Sequence, residues 1–477
     1  MIKEKLQDIF REVFDDSDLM LREDMTAKDI EEWDSLAQSQ LSETIEKEFD
    51  VSFTAEEIAD LDTVRDFIEL TEEKVKKPVL KKLLMLGGAR AQMPAIKRAK
   101  ELGYYVITCD YLPDNPGHKI SDEYKNISTV EKEQVLQFAK ERQIDGVIAY
   151  ASDPSAMTAA YVSDCLKLPG SSYNIVRMMC EKDLFRKFQK ENGFKTPSFI
   201  SLSSLDELKK AEKKIAFPCV VKPVDSSGSR GVSKVENGGG YELEEAFMLA
   251  SNFSRCGRVI IEDYIPTPYF QLHGDGVVYN GKIQFLALGD QRFRHSVPIG
   301  SSLPSILSNK LLKEAEMEVS RLIECIGFSC GGINAEVRVT EEGDIYIIEI
   351  GPRTGGNYIP QLMQRASKRD EMTAVLQMAM GDPHNIGMPD HIKCYFQYII
   401  GSDEAGRFQE VLIDRYMSDK VEELYIHKEK DEWIEEYENS NGVVGVALIR
   451  FDNMKEMEQD IENIKQHIQV VVGRENK

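Results

Sequence analysis

The feature that most constrains the fold of this chain is an abrupt change in charge near residue 76. Residues 1–76 contain 24 aspartates and glutamates against 9 lysines and arginines, a net charge of −15, while the other 401 residues share only −8. Such an asymmetry predicts separately folded units, and 477 residues are too many for a single core. Residues 77–82 lie in a lysine-rich stretch with a proline, so we predict that they form the linker.

Residues 1–76 have the pattern of a small four-helix bundle. Apolar residues recur at helical spacing in the first segment, at Leu6, Ile9, Phe10 and Val13. A second helix is predicted to begin near Ser35, because apolar residues follow it at four-residue steps. Thr54 and Thr63 are each followed three residues later by an acidic residue, which predicts capping boxes for two further helices.

The triplet Asp34-Ser35-Leu36, together with the acidic helix that follows it, resembles the attachment motif of acyl and peptidyl carrier proteins. The resemblance implies that Ser35 carries a 4′-phosphopantetheine arm ending in a thiol. It also implies two kinds of partner, a phosphopantetheinyl transferase and downstream biosynthetic enzymes that dock on the carrier. A helix N-terminus suits the phosphate that Ser35 would receive. The alternative is that Ser35 only caps its helix, which is a common role for serine.

Residues 83–172 are predicted to form an α/β domain with a parallel sheet. A short apolar run ends at Gly87-Gly88, an amphipathic stretch follows, and residues 105–109 and 144–150 have the pattern of further buried strands. Gly87-Gly88 does not complete the Gly-x-Gly-x-x-Gly fingerprint of a dinucleotide site.

Four segments further along the chain carry residue types that suit a nucleotide triphosphate. Lys182 is followed by an apolar strand that ends in Lys222 and runs into a serine- and glycine-rich loop, and Val259 to Ile265 has the pattern of another strand. The fourth segment contains Asn334-Ala335-Glu336 and, after a turn, Ile347-Ile348-Glu349-Ile350-Gly351-Pro352-Arg353. Lysines supply positive charge and the loop supplies backbone N–H groups for phosphates.

In this order the four segments resemble the ATP-grasp ligases, over residues 173–382, and residues 83–172 resemble the domain that precedes them. The resemblance implies that Lys182 and Lys222 contact the nucleotide phosphates and that the glycine loop covers them. It further implies that residues at the end of the third segment bind adenine. The full set of implied ATP-binding residues is Lys182, Lys222, Ser227, Gly228, Gly231, Glu262, Asp263, Tyr264 and Ile265.

The sequence also predicts a site for Mg²⁺ or Mn²⁺. Glu336 and Glu349 lie in two strand-like segments joined by a turn, and a hairpin would bring both carboxylates to one edge next to phosphate. Many ATP-grasp enzymes have an asparagine where this chain has Gly351, so either the metal site is simpler or an oxygen of Asn357 substitutes. Arg353 matches the family arginine that steadies the transferred phosphoryl group.

Residues 290–304 are predicted to form a loop over the active site. In this loop Arg292 or Arg294 would hold a substrate carboxylate or a phosphate, whereas His295 is more simply a hydrogen-bonded loop residue. Residues 383–477 resemble the small closing subdomain of such ligases. The predicted protein is therefore multidomain, with an N-terminal four-helix carrier bundle, an α/β domain with a parallel sheet and an α+β ATP-grasp domain.

The predicted activity is that of an ATP-dependent ligase, which activates a small-molecule carboxylate, such as an amino acid, as an acyl phosphate. The acceptor is either the thiol of the carrier arm or an amine. A non-catalytic carrier or scaffold protein with a degraded ATP site is the alternative, supported by Gly351 and Tyr269, and biotin-dependent carboxylation lacks a Met-Lys-Met site. A net charge of −23 argues against nucleic acid and membranes, and scattered cysteines without a secretory signal predict a cytoplasmic protein.

Overall fold

The computed structural model describes residues 2–473 apart from 50, 77–79, 227, 229, 238–239, 295–296, 383–385 and 439–441. The chain divides into two compact units, one ending at Leu80 and one beginning at Lys81. Part of the predicted linker, residues 77–79, lies outside the described residues. Among the residues that are described, no helix is both long enough and apolar enough to cross a lipid bilayer.

The first unit is a four-helix bundle, as the sequence predicts. Its helices are α1 (Ile2–Val13), α2 (Ser35–Phe49), α3 (Ala55–Ala59) and α4 (Val64–Lys76). The rings of Phe10, Trp33 and Phe67 meet in the core, with centroids 5.5 to 5.9 Å apart. The two predicted capping boxes are present, because the side chains of Thr54 and Glu57, and likewise of Thr63 and Asp66, each accept a hydrogen bond from the other's backbone N–H.

The second unit begins with a four-stranded parallel sheet. It contains β1 (Lys82–Leu86), β2 (Tyr105–Asp110), β3 (Glu123–Asn126) and β4 (Gly146–Ile148), in the order β3-β2-β1-β4. The helices α5 (Met93–Glu101), α6 (Lys132–Arg142) and α7 (Asp153–Leu166) follow β1, β3 and β4. Because α7 starts beyond the carboxyl end of β4, its first residue lies at the edge of the sheet where ligands usually bind.

Two helices lead from this sheet into a small antiparallel sheet. The helices are α8 (Tyr173–Cys180) and α9 (Lys182–Glu191). The sheet contains β5 (Phe199–Leu202), β6 (Cys219–Pro223), β7 (Ser233–Val235) and β8 (Val259–Asp263) in the order β5-β8-β6-β7, with α10 (Leu205–Ala211) and α11 (Tyr241–Phe253) in its connections. This sheet carries Lys222 on β6 beside Glu262 on β8.

The remaining strands form one eight-stranded antiparallel sheet and one small sheet. The large sheet contains β9 (Gln271–Tyr279), β10 (Lys282–Arg294), β11 (Val297–Leu303), β12 (Cys330–Val339), β13 (Ile345–Gly351), β14 (Tyr395–Gly401), β16 (Val421–Ile426) and β18 (Val443–Arg450). Their order is β13-β12-β9-β10-β11-β14-β18-β16. The small sheet contains β15 (Gly406–Ile413), β17 (Trp433–Ile434) and β19 (Ile468–Gly473).

The helices of this region are α12 (Asn309–Ile326), α13 (Ile359–Ser367), α14 (Glu371–Ala379), α15 (Arg415–Ser418), α16 (Met454–Glu462) and α17 (Ile464–His467). The strands β14, β16 and β18 extend the sheet that carries Glu336. The strands β15, β17 and β19 form the separate small sheet. Residues 383–477 therefore share a sheet with the preceding part of the chain, because β14 pairs with β11 on one side and with β18 on the other. The closing subdomain over these residues stays a prediction.

The bundle core generates a first prediction. Leu41 on α2 is fully buried, so Leu41→Ala removes packed methyl groups and should lower the free energy of unfolding of this unit by about 2–5 kcal/mol. Urea unfolding of the full chain, with Trp433 replaced by phenylalanine so that Trp33 is the sole tryptophan, measures this loss by fluorescence. Leu36→Ala on the same helix is the matched control, because Leu36 is 67% exposed, and it should change stability by less than about 0.5 kcal/mol. Equal effects of the two substitutions would contradict the described bundle.

Candidate active site

The centre of the candidate site is a pair of glutamates on neighbouring strands. In the β12–β13 hairpin Glu336 lies directly opposite Glu349, beside a bulge in the pairing. Residues opposite each other in an antiparallel pair project to the same face of the sheet. The hairpin therefore brings two carboxylates together, as the spacing in the sequence predicts.

Positive side chains from three other parts of the second unit surround this pair. The Nζ of Lys182, at the start of α9, lies 3.4 Å from an oxygen of Glu349 and donates to the carbonyl of Ser226 at 2.9 Å. Burial together with the nearby Glu349 raises the pKa of Glu336 to about 7. The positive charges of Lys222, Arg353 and Lys182 act in the opposite direction and lower the pKa of Glu336. Two lysines, two glutamates and one arginine from distant parts of the sequence thus converge.

This donor set fits a divalent cation. Two carboxylates that are pressed together at a half-buried position repel each other, and a divalent cation between them removes the repulsion. Mg²⁺ is commonly held by one or two carboxylates together with phosphate and water. Among the residues that the structure describes, no group of three or more His, Cys, Asp or Glu side chains could hold a metal by itself.

Arg353 is fixed in place by an aspartate that the sequence did not single out. The Nε and Nη2 of Arg353 donate to the two oxygens of Asp153, the first residue of α7, at 2.7 and 2.6 Å. Burial acts against ionisation of Asp153, but Arg353 holds its pKa below the usual range. A Cβ at Gly351 would lie 2.9 Å from Asp153 Oδ1 and 3.2 Å from Arg353 Cζ. A side chain at position 351 would therefore require this ion pair to shift, and the form of the metal site stays a prediction.

Lys222 is likewise held by a carboxylate. The side chain of Glu262 is 3% exposed and accepts from Lys222 Nζ at 2.8 Å and from Arg186 Nε at 2.7 Å. Burial opposes ionisation, but the two cations lower the pKa of Glu262 to about 2. Both oxygens of Glu262 are therefore engaged within the protein and the residue positions Lys222, while its contact with the nucleotide stays a prediction.

Next to Glu262, the residues that were predicted to bind adenine already make several backbone hydrogen bonds to other parts of the protein. The N–H of Asp263 donates to Ser198, the N–H of Tyr264 donates to Pro218, and the carbonyl of Ile265 accepts from Arg338 Nη1 at 2.9 Å. In the glycine loop, Gly228 and Gly231 adopt left-handed conformations with φ of 67° and 74°. The predicted site residue Ser227 lies outside the described residues, so the contacts of the loop with phosphate stay a prediction.

Arg292, one of the two arginines of residues 290–304 that were predicted to be catalytic, faces away from the glutamates. Gln271 donates both to Gln291 and to Glu336, which places Gln291 on the face of the glutamate pair. Arg292, the next residue of β10, projects to the opposite face, where it is buried against Glu458, Asp290 and Ser302. The alternation of side chains along a strand thus removes Arg292 from the site.

Arg294 and Asn357 are also placed differently from the expectation. Arg294 follows a bulge in the β10–β11 pairing and donates to Asp403 at 3.2 Å, so its described partner belongs to the C-terminal part of the chain. The side chain of Asn357 is exposed, and its carbonyl accepts from Gln397, so the structure gives no support to its oxygen as a metal ligand. His295 lies outside the described residues.

Sequence reasoning missed Asp153 and Arg186, although a signal for Arg186 exists. It lies four residues after Lys182, hence on the same face of α9, and it carries a charge where that face is buried. For Asp153 we find no local signal, because its partner Arg353 is 200 residues away. A third group that was missed is Asp275, which lies under the loop at Gly355 and accepts from that residue's N–H at 2.7 Å and from Asn334.

Comparison with known proteins agrees with this geometry. Residues 215–361 match the ATP-grasp domain, and residues 4–71 match the phosphopantetheine attachment site. The formate-dependent phosphoribosylglycinamide formyltransferase of Bacteroides fragilis is 26% identical over 290 residues, which are 57% of this chain and 71% of that protein. The protein of the same name from Rhodococcus jostii is 29% identical over 192 residues, 39% of this chain and 47% of that protein.

Solved structures show the same fold. The L-amino acid ligase of Bacillus licheniformis superposes with a TM-score of 0.70 at 21% identity and covers 83% of this chain and 99% of its own. The phosphoribosylglycinamide synthetase of Anaerococcus prevotii gives a TM-score of 0.66 at 22% identity and covers 82% of this chain and 100% of its own. At such identities the likeness concerns the fold.

The fold and the matched residues together show that this chain contains an ATP-grasp domain. More particularly, the chain joins an ATP-grasp domain to an N-terminal domain with a phosphopantetheine attachment site, and the resemblance noted in the sequence is confirmed. The predicted cofactors, ATP, Mg²⁺ and 4′-phosphopantetheine, are those that these two kinds of domain use.

The ion pairs of Glu262 generate a second prediction. Glu262→Gln leaves Arg186 buried without its carboxylate and should lower the free energy of unfolding at neutral pH by about 3–5 kcal/mol. A lowered pKa means that Glu262 stabilises the native state above the unfolded pKa of about 4.5 and loses this effect as the pH falls toward about 2. The difference between wild type and variant should therefore shrink on acidification, as measured by urea unfolding at several pH values. Glu191→Gln, which alters an exposed ion pair on α9, is the control and should not measurably change the free energy of unfolding. If wild type and Glu262→Gln differed in stability by the same amount at every pH, the ion pairing of Glu262 would be contradicted.

Proposed function

We propose that this protein activates a carboxylate with ATP and transfers the acyl group to the phosphopantetheine thiol on its own Ser35. In the first step a carboxylate oxygen attacks the γ-phosphorus, the bond to the β-phosphate oxygen breaks, and an acyl phosphate and ADP form. In the second step the deprotonated thiol attacks the acyl carbon and expels phosphate, which leaves a thioester. The observation that supports the first step is that Lys182 lies 3.4 Å from Glu349, which is opposite Glu336 in the hairpin, while the charges of Lys222 and Arg353 also act on Glu336.

Each side chain of the cluster has a definite task in this proposal. Lys182 and Lys222 neutralise phosphate oxygens, and both are oriented by groups behind them, the carbonyl of Ser226 and the carboxylate of Glu262. Glu336 and Glu349 hold the divalent cation, which when bound offsets the charge of the phosphates. Arg353, kept rigid by Asp153, presents its remaining N–H donors to the carboxylate and to the transferred phosphoryl group. Catalysis then depends on positioning and on fixed charge.

The attachment domain supports the thiol as acceptor. The hydroxyl of Ser35 is exposed, and the carboxylate of Asp34 caps α2 by accepting from the N–H groups of Leu36 and Ala37, both at 2.9 Å. Ser35 is therefore not needed as the cap, and among the described residues its hydroxyl has no hydrogen-bond partner. A free hydroxyl at a helix start is the arrangement that a phosphopantetheinyl transferase needs, and we propose that enzyme as a partner.

An amine acceptor is the second candidate. The observation in its favour is the fold shared with an L-amino acid ligase and a phosphoribosylglycinamide synthetase, proteins whose names describe carbon–nitrogen bond formation. Both candidates share the acyl phosphate and differ only in the group that attacks it.

A third prediction distinguishes these acceptors. The holo-protein is incubated with ATP, Mg²⁺ and a panel of carboxylic and amino acids, and mass spectrometry follows the Ser35 peptide while ADP release is recorded. Loading predicts an acylated arm, which Ser35→Ala abolishes and which Arg353→Lys slows by about 100- to 1,000-fold through loss of the bidentate contact. ADP release that requires an added amine and leaves the arm unacylated would favour the amine instead. Absence of ADP release with every acid and acceptor tested would support a non-catalytic carrier.

A fourth prediction concerns nucleotide binding alone. Lys182→Ala and Lys187→Ala alter the same helix, but only Lys182 lies in the cluster, whereas Lys187 is 69% exposed. Thermal shift with MgATP should show stabilisation of wild type and of Lys187→Ala, and an affinity at least about tenfold weaker for Lys182→Ala, because one charged contact is lost. Equal stabilisation of all three proteins would argue against Lys182 as a phosphate ligand.

A further inference from the structure

A cavity lies on the same face of the large sheet as the glutamate pair. Gly332, Asn334 and Glu336 alternate along β12, so their side-chain positions share one face. Gly332 lines the cavity, and two further lining residues, Thr354 and Val375, occupy the position that a side chain there would take. The cavity offers about 80 Å³ to the centre of a water-sized sphere, against the roughly 10–15 Å³ that one water molecule needs, so it has room for a short chain of non-hydrogen atoms. The cavity therefore lies on the same side of the sheet as the proposed reaction centre.

The walls of this cavity are almost entirely apolar. Helix α7 contributes three alanines, strand β4 contributes a short aliphatic run, and α14 contributes aliphatic side chains that include Val375. Small residues at these positions keep the space open, and Ala156 and Ala160 are themselves buried. Such a lining favours a hydrocarbon group and disfavours a charged one.

The polar end of the cavity carries the two groups that a carboxylate needs. Arg353 lines it, and its guanidinium uses only some of its N–H donors on Asp153 and on the carbonyl of Thr354. Thr354 lines it as well and is 2% exposed, yet its hydroxyl has no hydrogen-bond partner. A buried hydroxyl without a partner is costly, and a ligand oxygen at this point would satisfy it.

Helix α7 connects this cavity with the nucleotide side of the cluster. Its first residue, Asp153, holds Arg353 and lines a neighbouring cleft together with Lys182 and Glu349. Two of its alanines, Ala156 and Ala160, line the apolar cavity. A carboxylate bound at Arg353 would thus have its reactive oxygens toward the phosphates and its chain in the cavity.

We propose that this cavity is the acyl pocket, and that the substrate is a small acid with an aliphatic chain whose carboxylate contacts Arg353 and Thr354. The proposal rests on the carboxylate activation proposed above and adds the substrate class. Isovalerate and acetate are the probes, since they share the carboxylate and differ in the chain. Wild type should bind isovalerate at least about tenfold more tightly than acetate by isothermal titration calorimetry in the absence of ATP, because more apolar surface is buried.

Two variants of the full-length protein test the walls. Ala160→Leu fills the cavity, so it should keep or raise the melting temperature while weakening isovalerate by at least about tenfold and leaving acetate nearly unchanged. Ala246→Leu, at a buried alanine of α11 outside the cavity, is the control, and it should leave the affinity for isovalerate as in wild type. Unaltered isovalerate binding by Ala160→Leu would overturn the proposal.

Thr354→Val provides an independent test, in which the stability of the free protein should rise while the affinity for both acids falls. The reason for both changes is that the substitution removes the buried hydroxyl at nearly constant shape. Equal affinity of wild type and Thr354→Val for both acids would show that the hydroxyl does not contact the carboxylate and would overturn that contact.

The proposals on reaction and on pocket fail separately. Isovalerate binding that depends on residues 160 and 354 but gives no ADP release with ATP supports the pocket and contradicts the ligase reaction. ADP release with some other acid, unaffected by Ala160→Leu, supports the reaction and overturns the pocket.

Discussion

The interaction on which the candidate site depends is the forced proximity of Glu336 and Glu349. Backbone pairing of β12 with β13 places these two residues directly opposite each other, and burial makes the mutual repulsion of their carboxylates expensive. The positive charges of Lys182, Lys222 and Arg353 partly offset this repulsion. A divalent cation and the phosphates of a nucleotide would complete the balance, so the charges of the cluster are complementary to the ligand it is proposed to bind.

The cations are themselves held in place by a second layer of acids. Asp153 engages Arg353 through two hydrogen bonds, and Glu262 engages Lys222 together with Arg186. This layer fixes long, flexible side chains before the ligand arrives, which reduces the entropy lost on binding. It also links separate parts of the second unit, since Asp153 begins a helix after the parallel sheet whereas Arg353 follows a strand of the antiparallel one. Proper assembly of the sheets is therefore a condition for the site.

Much of this organisation could be predicted from the sequence. The acidic bundle, the first parallel strands and the glutamate hairpin all depend on local patterns, and the structure has them within a few residues of the expected bounds. The sequence singles out Lys182, Lys222, Glu336, Glu349 and Arg353 because each stands in one of the four segments that resemble the ATP-grasp ligases. Arg292 was misassigned because most of residues 290–304, which were predicted to form a loop, belong to strands β10 and β11. Alternation along β10 turns the side chain of Arg292 to the opposite face of the sheet.

The sequence by itself determined the two-unit division, the exposed serine at the start of a helix and the charge types available for phosphate and metal, because these follow from local periodicity and composition. Only the tertiary structure decided how those charges are paired. That Glu262 holds Lys222, that a side chain at position 351 would require the Arg353–Asp153 pair to shift, and that Gly332 lines a cavity all depend on contacts between residues far apart in the chain. Such contacts have no signature in local sequence, because the partner's position is set by the packing of separate sheets.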